Sequence, residues 1–147
     1  MIRLILLVFV IMMIYSFMKS KRELDRVQAE KAALNSKKDN AKDKLGIDEK
    51  VSVQDKYGRV FILSEDKKLY VFDSEKDTIE EIKGMKSIST KRRYATVKSG
   101  WASCTQLQDV VLKIELEDGE YLTEINPNEA NEVEKFEEKV VEYLGVR

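Results

Sequence analysis

The stretch Ile2–Met18 holds one charged residue, Arg3, and runs straight into Lys19-Ser20-Lys21-Arg22. As a helix, seventeen residues rise roughly 25 Å, near the lower limit for crossing a hydrocarbon core of ~30 Å. Arg3 and Lys19 can extend their long side chains outward to the headgroups, and local thinning of the bilayer covers the remaining mismatch. A secretory signal would end in small residues at a cleavage site. Tyr15-Ser16-Phe17-Met18-Lys19-Ser20 offers no such pair. The expectation is an uncleaved transmembrane anchor over residues 1–18, with a cleaved signal and a buried core helix as the competing readings.

The flanks give the anchor a direction. Only the amino terminus and Arg3 precede it, whereas Lys19, Lys21, Arg22, Arg26 and Lys31 follow closely. Positive charge is retained on the cytoplasmic side, which predicts N-terminus out and the C-terminal region in the cytoplasm of a single-pass cell-membrane protein. The extracytoplasmic arrangement is the alternative. One cysteine, Cys104, cannot form an intramolecular disulfide, so nothing in the sequence calls for an oxidising compartment.

About 129 residues remain after the anchor, enough for one domain with a core and too few for two. The net charge of −1 conceals segregation. Lys83–Gln108 carries six bases and no acid, and Asp109–Arg147 carries twelve acids against four bases. Residues 19–46 are rich in Ala, Lys, Glu, Leu and Gln, with no Gly before Gly46, which predicts a helical stalk. Leu24, Val27, Lys31, Leu34, Lys38, Ala41 and Leu45 fall at spacings of three and four. With two lysines in that seam, Lys19–Leu45 supports a solvated stalk, a weak self-association or a contact with the domain.

Strand signals begin after Gly46. Lys50–Gln54, Arg59–Leu63, Leu69–Phe72 and Thr78–Ile82 are short apolar stretches separated by polar turns. Met85–Val97 is long and mixed, with Ile88, Tyr94 and Val97 expected to face inward. Ser99–Cys104 reads as a small-residue loop. Asp109–Glu117 alternates strictly, Asp118-Gly119 marks a tight turn, and Glu120–Ile125 answers as the partner strand. The period then changes. Asn126-Pro127-Asn128-Glu129 predicts a side-chain-capped helix start, and Ala130, Val133, Phe136, Val140, Val141 and Leu144 recur at helical spacing up to Gly145. The fold class is therefore α+β. An N-terminal transmembrane helix and stalk lead into six or seven antiparallel strands over 47–147, capped by one amphipathic helix at about 127–144.

Val60-Phe61-Ile62-Leu63, the Glu65–Lys68 turn, Leu69-Tyr70-Val71-Phe72, the hairpin Val110–Leu116 with Tyr121–Ile125, and the helix to Leu144 together resemble the pleckstrin-homology-like fold. The similarity is to the bacterial PH-like domains that follow N-terminal membrane anchors. It covers roughly residues 47–145 and is architectural. It implies a binding or scaffold module rather than an enzyme. Phe136 and Tyr143 stand on the helix where many eukaryotic PH domains have a Trp. The early hairpin, with Lys56 and Arg59 alone, lacks the dense basic cluster used for phosphoinositides, so that ligand is not carried over.

No histidine is present, which removes His-dependent triads, relays and zinc sets. The six glycines form no phosphate-binding loop. No cofactor, catalytic or metal-ligating residue is expected. The candidate binding residues are Lys91, Arg92, Arg93, Lys98 and Trp101, where bases interleave with aromatics. They suit a protein partner or anionic lipid headgroups better than nucleic acid, because the chain as a whole is not basic. The competing reading of Lys91-Arg92-Arg93 is a solvated turn facing the acidic helix, and of Trp101, a plug for the core. The runner-up function is an assembly subunit that self-associates through the stalk.

Overall fold

The computed structural model describes residues 2–146, with side chains from Leu4 onward. The expected reach of Arg3 to the headgroups therefore lies outside the described residues. The chain folds as two compact units, Met1–Lys37 and Lys38–Arg147.

A single helix, α1 (Ile2–Leu45), runs through the first unit and into the second. Its forty-four residues amount to about 66 Å of helix. It is long and apolar enough to cross a membrane, and none of its apolar stretch is buried. Farther along, Leu24 and Val27 of the heptad seam are also exposed. The helix stops where the sequence predicts. Gly46 takes φ +65°, Ile47 N donates to Lys42 O (3.1 Å) and Gly46 N to Asp43 O (3.4 Å). That is the glycine-dependent left-handed cap that returns two terminal carbonyls to hydrogen bonding.

In the second unit, the last two turns of α1 lie on the first strand. Lys38 Nζ donates to Glu49 Oε1 (3.3 Å) and Ser52 Oγ (3.5 Å), and Lys42 Nζ to Glu49 Oε2 (2.5 Å). Lys38 of the seam, with Lys42 beside it, thus makes polar contact with a strand of this unit. Burial works against the Glu49 charge, but hydrogen bonds from Lys42 and Ser52 and the charge of Lys38 hold its carboxyl below the usual carboxylate value.

Seven strands follow: β1 (Glu49–Gln54), β2 (Arg59–Ser64), β3 (Leu69–Asp73), β4 (Thr78–Ile82), β5 (Met85–Ser99), β6 (Ala102–Leu116) and β7 (Glu120–Ile125). They form two antiparallel meanders, β1-β2-β3-β4 and β5-β6-β7. A single 3-10 turn (Pro127–Glu129) leads into α2 (Ala130–Leu144). The core lies between the sheets. Phe61, Leu63 and Val71 come from the first sheet and Val110, Leu112, Ile114 and Ile125 from the second, with Val133, Phe136 and Val140 of α2 packed against both. Strict alternation in Val110–Leu116 and the helical spacing of α2 are what made this core visible in the sequence.

Four expectations need correction. Tyr94 and Val97 are exposed rather than inward, at 58% and 43%. Ser99–Cys104 is a hairpin tip, with β6 beginning at Ala102, rather than a loop. Lys91-Arg92-Arg93 lies in mid-strand rather than in a turn. Asn126 makes no side-chain cap; its carbonyl accepts from Glu129 N (2.9 Å), because Pro127 already sets the entry turn.

Candidate functional site

The candidate residues all lie on the β5–β6 hairpin, which is two structures joined end to end. From Met85 to Arg93, β5 pairs with β6, and β6 pairs with β7 through Val110–Glu115. Between Arg93 and Tyr94 the register slips: Arg93 faces Asp109, Tyr94 faces Leu107, and Gln108 is left out. Past that bulge β7 has ended, and Tyr94–Ser99 with Ala102–Leu107 continue as a two-stranded ribbon. A bulge of this kind bends and twists a strand, which suits the point where the ribbon leaves the sheet.

Strand alternation divides the basic cluster between two faces. Arg92 pairs with Val110 on the core-facing side and meets α2. Its Nε and Nη2 donate to Glu134 Oε1 (2.6 Å) and Oε2 (2.8 Å), and Nη2 also to Asn131 Oδ1 (3.2 Å). This fork holds the Glu134 carboxyl below the usual value and raises the Arg92 guanidinium further above its own. Arg93 projects from the opposite face, where Nη2 donates to Asp109 Oδ2 (3.0 Å) and Glu124 Oε1 (2.6 Å). Lys56 adds a second ion pair to Asp109, and Tyr57 Oη donates to Glu124 Oε2 (3.3 Å). Both arginines are therefore ion-paired within the domain, although each remains exposed. Lys91 is exposed, with no ion pair among the described residues.

At the tip, Ser99 pairs with Ala102 across a two-residue turn, Gly100-Trp101. Gly100 takes φ +59°, and glycine in the first of two such positions is what a type II′ hairpin turn requires. The turn leaves Trp101 completely exposed, at 107%, so the core-plug reading of this residue is overturned. Lys98 and Cys104 are exposed beside it. The structure thus separates the five candidates. Lys98 and Trp101 share the tip, Lys91 is exposed at the base, and Arg92 and Arg93 belong to the scaffold.

A buried network that the sequence did not announce holds this base in place. Asp55 is 1% exposed. Its Oδ1 accepts from Tyr57 N and Arg59 N (both 2.8 Å), and its Oδ2 from Arg59 Nε (2.7 Å) and Thr123 Oγ1 (2.6 Å). Lys56 N donates to Glu124 O (2.9 Å). The β1–β2 turn is thereby fastened to β7, one sheet to the other. With both its oxygens occupied, Asp55 is a fastening group, and the only hint of it in the sequence was the turn at Tyr57-Gly58.

Two concavities of the domain are formed by described residues. One of about 130 Å³ is lined by Arg59, Asp73, Lys76, Thr78, Glu80 and Tyr121. Another, about 310 Å³ and open, has Lys67, Lys68 and Lys83 around Leu69, Met85 and Leu144. The second only reaches the lower end of the ~300–1,000 Å³ typical of small-molecule sites. Among the described residues no three His, Cys, Asp or Glu side chains converge to hold a metal. No protein-family model, curated protein or solved structure matches this chain.

Proposed function

We propose that this chain is a non-enzymatic, single-pass membrane protein that presents a small pleckstrin-homology-like binding or scaffold domain on the cytoplasmic side of the membrane. The observation that carries the proposal is an apolar helical stretch, Leu4–Met18, left wholly uncovered in a chain whose other unit buries a complete core of its own. An uncovered apolar cylinder of that length is favourable in lipid and unfavourable in water. The basic residues after Met18 favour the cytoplasmic orientation. A four-stranded and a three-stranded meander followed by one C-terminal helix supports the PH-like assignment.

The binding element in this reading is the exposed ribbon, with Trp101 and Lys98 as its accessible groups and Lys91 exposed at its base. A tethered recognition surface works through effective concentration, so a weak contact acts as a stronger one. The test is made on the full chain in expressing cells. It is expected to resist carbonate extraction. The single thiol, Cys104, is expected to react with a membrane-impermeant maleimide only after permeabilisation. Extraction by carbonate removes the tether, and labelling of intact cells reverses the orientation. The assembly reading keeps one specific support: the outer edge of β6 over Ala102–Leu107 carries none of the charges found on other edges of this domain.

A further inference from the structure

An open sheet edge offers unpaired N–H and C=O groups, and proteins block such edges with short strands, charges or cover. This domain blocks three of its edges, and β5, the edge strand on the other side of the ribbon, carries Lys91, Arg92, Arg93 and Lys98. β1 packs against α2 and carries Glu49 and Lys50. β4 is five residues long with Glu80 and Glu81 exposed, and β7 is six residues long with Glu120 and Glu124. The outer edge of β6 is different. β5 takes one side of Ala102–Leu107 and β7 reaches only Val110 on the other, so six consecutive residues present a free edge. Those six, Ala-Ser-Cys-Thr-Gln-Leu, contain no charge and no proline, in a chain that is 36% charged.

That composition selects the occupant. When an edge pairs antiparallel with its own copy about a two-fold axis, residues whose numbers share one sum stand opposite each other. On β7 a pairing centred on Leu122 places Glu120 against Glu124 of the copy, and on β4 the adjacent Glu80 and Glu81 are brought near those of the copy. On β6 it opposes no two charges. One register also accounts for the exposed apolar groups. With Cys104 opposite Cys104, Ser103 faces Thr105 and Trp101 falls opposite Leu107, whose own cross-strand neighbour is the exposed Tyr94. The completely exposed tryptophan at each tip thus meets an apolar pair on the other copy. Each ribbon, too narrow to be stable as two strands alone, becomes half of a four-stranded sheet with the two β6 strands in its middle.

We propose that two copies of this chain pair through the β6 edges of their ribbons, antiparallel about Cys104, with Trp101 of each against Tyr94 and Leu107 of the other. This rests on the tethering reading in one respect. Six residues a side is far below the roughly 20–30 of a standard interface, so the pairing needs copies concentrated in one membrane.

The full chain is tested in the membranes of expressing cells with a short thiol–thiol bismaleimide, which only Cys104 can join. A covalent dimer is expected for the native sequence. It is expected to fall at least tenfold in Ala102→Lys/Gln106→Lys and equally in Ala102→Glu/Gln106→Glu: the cross-strand partners of these positions within the chain, Ser99 and Ala95, are uncharged, so directly opposed like charges arise in the pair. Co-expression of the two double variants under different tags is expected to restore a mixed dimer, which misfolded variants could not do. A native chain that does not crosslink, a Lys variant that crosslinks like the native chain, or a mixture no better than its components overturns the proposal. Carbonate extraction keeps the two readings apart. A chain retained in the membrane without crosslinking overturns the pairing alone, and a chain that crosslinks but is extracted overturns the tether and, with it, the dependence of the pairing on membrane concentration.

Discussion

The inner and outer halves of the β5–β6 hairpin are built from the same two strands on one continuous ladder, yet they obey different constraints. The inner half gains a third strand, a helix and two engaged arginines, with Ile88, Leu112 and Ile114 buried beneath them. The outer half has the ladder, one charge and an exposed tryptophan. The difference teaches that strand propensity and a good turn can carry a ladder past its core, but what the extension does must come from outside the domain.

Mutations can break that comparison. The largest effect is expected in the inner half: Leu112→Ala removes a fully buried side chain from β6 and costs about 2–5 kcal/mol of unfolding free energy by chemical denaturation. An equal cost for truncating Val97 in the outer half would abolish the distinction, since a solvent-exposed site is expected to stay within about 0.5 kcal/mol. Next comes the join between the halves. Asp109→Ala leaves Lys56 and Arg93 without their shared buried acceptor and is expected to cost about 1.5–3 kcal/mol in the same measurement.

The halves also differed in how well they could be read from sequence. Strict alternation in Val110–Leu116 and the spacing Val133, Phe136, Val140 identify the inner core, because burial on one face writes its period into the sequence. Beyond Leu107, which packs against the core at its base, the ribbon leaves its large side chains exposed, so Tyr94 and Val97 looked like inward residues of an ordinary strand, and Ser99–Cys104 like a loop. The fate of the arginines was half visible. The acidic helix pointed to a partner for Arg92, but Asp109 and Glu124 reach Arg93 through cross-strand register, which one sequence does not display.

A smaller effect is expected from acid. The Glu49 carboxyl is held below its ordinary value in the folded protein, so its contribution is complete above the unfolded carboxylate range and is lost as the pH falls through the folded value. Glu49→Gln should flatten that part of the pH dependence of the denaturation midpoint. If the outer half is isolated from the fold's energetics, the ribbon variant Thr105→Lys will leave the acid profile unchanged. The smallest stability effect belongs to Trp101→Ala, expected within about 0.5 kcal/mol. The same substitution is expected to reduce the thiol crosslink severalfold, so one residue separates stability from association most cleanly.

The slip between Arg93 and Tyr94 makes the ribbon an arm of adjustable length. Each matched removal of two residues per strand, such as Val97-Lys98 with Ser103-Cys104, shortens it by about 7 Å and returns every remaining side chain to its original face. Removal of one residue per strand turns those faces over instead. Because matched removal leaves the register of the inner half unchanged, such an arm can be lengthened or trimmed in steps of two while Leu112, Ile114 and Phe136 keep their places.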